Sequence, residues 1–168
     1  MTPATSPLEA FLIHMGPFTW DDLVTGYDFG LLTAQEIQVE APGVGLAVQR
    51  LRALSGSGLF TFEAHLWAAC VEAVGKTPRP GSSRWALAQD RWRAALLRET
   101  LTMEKTSAQL ARAVERVYEQ VGCPEDMLAM LKPSPPWSGE PAILDPSAMQ
   151  KFLDGNGFIK PRRFGTAP

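Results

Sequence analysis

Residues 106–136, TSAQLARAVERVYEQVGCPEDMLAMLKPSPP, constrain the fold more than any other stretch. Leu110, Ala113, Val114, Val117, Tyr118 and Val121 recur at i, i+3, i+4, i+7, i+8 and i+11. Side chains at that spacing share one face of an α-helix, and such a face must be buried against something apolar. Thr106 with Gln109 predicts a capped start, and Gly122 followed by Pro124 predicts a stop and a new short helix. A chain built this way is a packed helical protein.

The rest of the chain repeats the pattern. Residues 7–14 read as a short helix. Thr19 with Asp22, and Thr33 with Glu36, have the spacing of capping boxes. They open two short helices, the first carrying Trp20, Leu23, Val24 and Tyr27 and the second ending at Ala41 before Pro42 and Gly43. Leu46, Val48, Leu51 and Leu54 predict a third, closed by the SGSG stretch at 55–58. Residues 61–74 predict a fourth, with Phe62, Leu66, Ala69, Cys70 and Ala73 along one side. A longer helix over 84–103 carries Trp85, Ala88, Trp92, Ala95, Leu96 and Glu99 at its apolar spacing. Residues 124–131 and 145–153 predict two short helices around a Pro-rich loop containing Trp137. No alternating strand pattern exceeds a few residues. The fold class is all-α, with seven to nine short and medium helices and Trp85, Trp92, Leu110, Val114, Val117 and Tyr118 central.

Length and composition set the remaining bounds. At 168 residues the chain suits one core. The loop KTPRPGSS at 76–83 is the clearest break, but dividing there leaves two thin cores. The expected organisation is therefore a single helical domain over 1–153 and an irregular tail over 154–168. With 45% hydrophobic and 20% charged residues, a wholly disordered chain is excluded. Apolar runs fall far short of the roughly 18 residues that span a bilayer. The start, MTPATSPLEAFLIHM, has no basic region and sets an acid before its apolar run, unlike a secretory signal. The two cysteines, Cys70 and Cys123, fit buried or capping roles in a reducing cytoplasm, so a cytoplasmic location is expected.

Few residues are spaced for chemistry. Asp154-Gly155-Asn156-Gly157 resembles the middle of a calcium loop, but the first and twelfth ligand positions would be Phe152 and Arg163, and an arginine repels the ion. His65 and Cys70 lie five apart on one helix and do not share a face. With two His, two Cys and no paired-ligand spacing, no metal site and no cofactor is expected. Cys123 precedes a helix start, where a thiol can be activated, yet has no base nearby in sequence. Arg91, Arg93 and Arg98 are interrupted by acids and read as a mixed solvated helix surface, so nucleic-acid binding is not favoured.

Charge distribution carries the functional expectation. The net charge is −2, but residues 1–49 contain six acids and no Lys or Arg. Helix starts account for part of this, since their dipoles favour carboxylates. The remainder suggests an acidic face, with Asp21, Asp22, Asp28, Glu36 and Glu40 as the partner-binding candidates.

Two segments resemble a bacterial family known as domain of unknown function 2247. Phe18 onward, FTWDDLVTGYDFGLLTAQEIQVEA, is similar to that family's opening pattern of Trp, acid, a Gly-Tyr step, Gly-Leu-Leu and a Ser/Thr-led helix. Val117-Tyr118, then Val121-Gly122-Cys123-Pro124-Glu125-Asp126, and finally Lys132 and Pro133-Ser134-Pro135-Pro136 are similar to its later helix end and closing Pro-Pro. Cys123 stands where that pattern has an aromatic. The resemblance implies an all-helical bacterial protein and brings no activity with it. Together these features lead to an expected non-catalytic interaction protein of the immunity or antitoxin type, whose acidic face masks a basic toxin. The alternatives are a small enzyme drawing on His14 and His65, and a helical nucleic-acid binder.

Overall fold

Helix starts in this chain are fixed locally, by side chains that turn back onto their own backbone. Ser6 with Glu9, Thr19 with Asp22, Thr33 with Glu36, and Thr106 with Gln109 each form a reciprocal capping box. Each satisfies two donors that a helix start leaves open, and loss of such a cap costs about 1 kcal/mol. The computed structural model describes residues 5–56, 58–103 and 106–155. Among these residues the chain forms eight α-helices: α1 Pro7–Met15, α2 Trp20–Asp28, α3 Ala34–Glu40, α4 Leu46–Ala53, α5 Leu59–Val74, α6 Ser83–Thr102, α7 Ser107–Gln120 and α8 Pro146–Gly155. The fold class is all-α, with a helix count inside the expected seven to nine. No helix among the described residues is long and apolar enough to cross a membrane.

Two details depart from expectation. The helix foreseen over 124–131 is a 3-10 turn at Glu125–Ala129, followed by strand β1 Leu131–Lys132. The loop foreseen over 132–145 supplies strand β2 Ile143–Leu144, antiparallel to β1 with Leu131 opposite Leu144 and Lys132 opposite Ile143. The cause lies at the end of α7. Gly122 (φ 82°) and Cys123 (φ 54°) both adopt left-handed backbone and reverse the chain, and pairing of Leu131 and Lys132 with β2 ends the following turn after Ala129. Residues 154 and 155 complete α8; the rest of the foreseen tail, 156–168, lies outside the described residues.

The chain divides into two compact units, and the division falls inside α6 rather than in the 76–83 loop. In the unit Pro17–Asp90, α5 packs on α4 and α2. Leu23, Val24, Ile37, Leu51, Phe62 and Leu66 are among its buried side chains. Tyr27 meets Phe62 at 5.2 Å between ring centroids. Elements cap one another here. Gln38 donates to the Leu51 and Leu54 carbonyls at the end of α4. Glu72 of α5 accepts from the Ala47 N–H at the start of α4. Gly45 is what allows that approach, because a Cβ there would sit 1.8 Å from the Glu72 carboxylate.

The other unit joins Met1–Gly16 to Arg91–Pro168. Phe11 of α1 stacks against Trp92 of α6 at 4.5 Å, and both are fully buried. Val114, Val117, Met127, Leu131 and Met149 are buried here as well. Trp85 was foreseen beside Trp92 in the core. Instead it is half-buried in the first unit, edge-on to Phe29 at 5.5 Å. Leu110 and Tyr118, on the flanks of the α7 stripe, are only half-buried too.

Candidate functional site

Helix α5 is apolar on two sides, and only one of them is used. Phe62, Leu66, Ala69 and Cys70 face the core. Phe60, Ala64, Trp67, Val71 and Val74 recur at i, i+4, i+7, i+11 and i+14 and so form a second stripe. That stripe meets solvent: Phe60 is 85% exposed, Trp67 45%, Val71 47% and Val74 48%. A surface helix ordinarily keeps its outward face polar, and a contiguous apolar face marks a docking surface. Val74 also lines an apolar cleft of about 450 Å³, shared with Trp20, Val44 and Val48, which extends the surface beyond the helix. Reading only the core-facing stripe of 61–74 conceals this face, although the second periodicity is plain in the sequence.

Carboxylates edge the stripe. Glu63 is three residues from Phe60 and four from Trp67, hence adjacent to both on the helix surface. Asp28, at the end of α2, is exposed and interacts with it: partial burial first, then the Glu63 charge, hold the Asp28 carboxyl above its usual range. Neither carboxylate is paired with a cation among the described residues, so their repulsion is left standing.

The five acids proposed from sequence do not form one face. Asp22 is fully buried, and its carboxylate accepts from the Thr19 N–H and hydroxyl at 2.8 Å each. Its carboxylate is spent on the cap and shielded from solvent, so it cannot meet a partner. Asp21 is half-buried and takes a two-pronged bond from Arg84, at 2.9 Å and 2.5 Å, which cancels its charge. Glu36 accepts from the Thr33 N–H at 2.7 Å in its own cap and is also half-buried. Asp28 is exposed, Glu40 is half-buried at the end of α3, and neither is engaged in a cap or an ion pair among the described residues. Asp28 edges the apolar stripe together with Glu63, which stands outside the sequence-derived set.

The histidines are both engaged. His14 Nε2 lies 2.8 Å from Glu99 Oε2, tying α1 to α6. The Glu99 carboxyl is held below its usual range by the Thr5 hydroxyl, then by His14. Glu99 lines a shallow cleft of about 200 Å³ with Thr100 and Arg116, whereas His14 does not. His65 Nδ1 donates to the Thr61 carbonyl one turn back, at 2.8 Å.

Both cysteines are free. Burial, then the Asp21 charge, push the Cys70 thiol up to about 11, with Arg84 opposing, so it stays protonated at neutral pH. Cys123 is exposed and lies in the left-handed turn; the extended residue that starts the following 3-10 turn is Pro124, so the foreseen capping role is not Cys123's. No group of three metal-binding side chains occurs among the described residues. Asp154 accepts from Gln150 at 2.9 Å in the last turn of α8, and the remainder of the calcium-like motif lies outside the described residues.

Arg93 also departs from expectation. It is 2% exposed rather than solvated, bonded to both oxygens of Asp126 at 2.7 Å and 3.0 Å, with its guanidinium 4.2 Å above the Phe152 ring. The pair holds the Asp126 carboxyl below its usual range. No protein-family model, curated protein or solved structure matches the chain.

Proposed function

We propose that the chain is a protein-binding module of the immunity or antitoxin type, which masks a partner whose contact surface sets apolar side chains beside Lys or Arg. The outward apolar stripe of α5 carries this reading. Phe60, Trp67, Val71 and Val74 supply area that gains about 25 cal/mol per Å² when covered. Aromatic anchors of this type dominate binding energy at protein interfaces. Asp28 and Glu63 add selectivity, because a cation brought beside them relieves their mutual repulsion and steers the encounter. A cytoplasmic setting and a bacterial origin within the domain of unknown function 2247 family complete the proposal, the latter resting on the Phe18–Ala41 and Val117–Pro136 motifs alone.

The test is affinity capture from native lysate with the wild-type chain, Trp67→Asp, and an Asp28→Lys/Glu63→Lys double variant. The expected result is a basic protein retained by wild type and lost from both variants, with circular dichroism unchanged because none of the three side chains belongs to the buried core. Retention of the same protein by Trp67→Asp would overturn the proposal. So would self-association of the wild-type chain that Trp67→Asp abolishes, since the stripe would then serve a second copy.

A further inference from the structure

A second surface has the opposite character from the acid-edged stripe. Beyond α5 the loop 76–82 folds back on itself. Gly75 takes left-handed backbone at φ 87°, the Ser82 N–H donates to the Arg79 carbonyl at 2.9 Å, and Ser82 Oγ accepts from the Arg79 and Trp85 N–H groups. The Cys70 thiol donates to the Lys76 carbonyl from beneath, at 3.7 Å. Between this loop, the end of α5 and the first turn of α6 lies a cleft of about 490 Å³, within the size range of small-molecule sites. Three cations line it, Lys76, Arg79 and Arg84, with the hydroxyls of Thr77, Ser82 and Ser83, and no carboxylate does. Val71 and Pro78 give it an apolar wall.

The charges are not equivalent. Arg84 is matched and held in place by Asp21. Lys76 and Arg79 have no ion-pair partner among the described residues, so the cleft carries a net positive charge that its own walls do not satisfy. Ser83 and Arg84, the first residues of the 20-residue α6, also line the cleft, and the N–H groups of a helix start have no intrahelical partner.

We propose that this cleft binds a small phosphate monoester with an apolar or aromatic body. Lys76 and Arg79 would neutralise the phosphate, the hydroxyls and open N–H groups would take its oxygens, and Val71 and Pro78 would support the body. The cleft shares Val71 with the α5 stripe, but Lys76 and Arg79 lie off that stripe, so their variants and the Trp67 variant test the two surfaces separately.

Calorimetric titration with AMP, inorganic phosphate and a short single-stranded oligonucleotide tests it, using wild type, Lys76→Gln/Arg79→Gln, and Lys151→Gln as a charge control on α8. The expected result is saturable one-site AMP binding, displaced by inorganic phosphate and weakened roughly tenfold or more in the double variant. The control should bind as wild type, and the Ser83 and Arg84 amide resonances should shift on AMP addition. Absence of saturable binding, equal weakening by Lys151→Gln, or amide shifts confined elsewhere would overturn the proposal. Tighter binding of the oligonucleotide than of AMP would overturn it too, assigning the cleft to nucleic-acid backbone.

Discussion

Cys123 holds its backbone at φ 54°, a conformation that costs an L-residue about 1 kcal/mol and that glycine adopts freely. Its N–H donates to the Tyr118 carbonyl at 2.9 Å, so the turn closes the end of α7 despite the side chain. Cys123→Gly is therefore expected to stabilise the protein by about 0.5–1 kcal/mol, seen as a higher midpoint in urea unfolding; an unchanged or lower midpoint would contradict the account of this turn. The same residue shows where sequence reading stops. Its position before Pro124 reads as a cap, because the local signal for a helix start is strong. The competing signal, a glycine-led reversal that carries one more residue into left-handed backbone, has no side-chain signature. Asp22 and Glu36 show the related confusion between an acid that caps and an acid that faces outward. Both stand third in a helix after Thr, and that spacing assigns their carboxylates to the cap. Arg93 was not legible at all: its partner Asp126 is 33 residues away, and nothing local distinguishes it from Arg91 and Arg98 on the same helix.

At the scale of elements, most of the helices could be read because their causes are local. A Thr or Ser with a carboxylate or amide three residues on, an apolar stripe, and a Gly or Pro stop all lie within one segment. α5 shows the limit of that method. Its sixteen residues carry two apolar stripes, and periodicity says which residues share a face without saying which face is covered. The packing of α4 and α2 decides the matter, by covering Phe62, Leu66 and Ala69 and leaving Phe60, Trp67 and Val71 in solvent. Glu99 is the converse case. It falls at a buried spacing on α6, an apparent fault in the pattern, and the imidazole of His14 on α1 is what receives it. Long-range pairing, rather than local propensity, also produced the β1–β2 ladder, whose two-residue strands are too short for alternation to be visible.

For the whole molecule, the shifted carboxyls set how stability responds to acid. Glu99 and Asp126 are held low in the folded state, so each contributes stability that is present above its unfolded value, about 4, and is lost as pH falls through the folded one. Asp28 is held high and acts in the opposite sense, costing stability as it ionises with rising pH. Asp126→Asn should thus be less stable than wild type at neutral pH, with the difference closing as the pH falls below about 4. Urea midpoints measured across that range check it, and a gap that stays constant would show that the Arg93 pair contributes nothing of its charge to folding. The proposed function, at this scale, rests on a surface that the fold leaves uncovered. Hydroxyl-radical footprinting of the chain, alone and with its captured partner, tests that claim most directly. Oxidation of Phe60 and Trp67 on α5 should fall in the complex while Trp137, exposed on the 133–142 loop, stays reactive; protection of Trp137 with Trp67 unchanged would contradict the account.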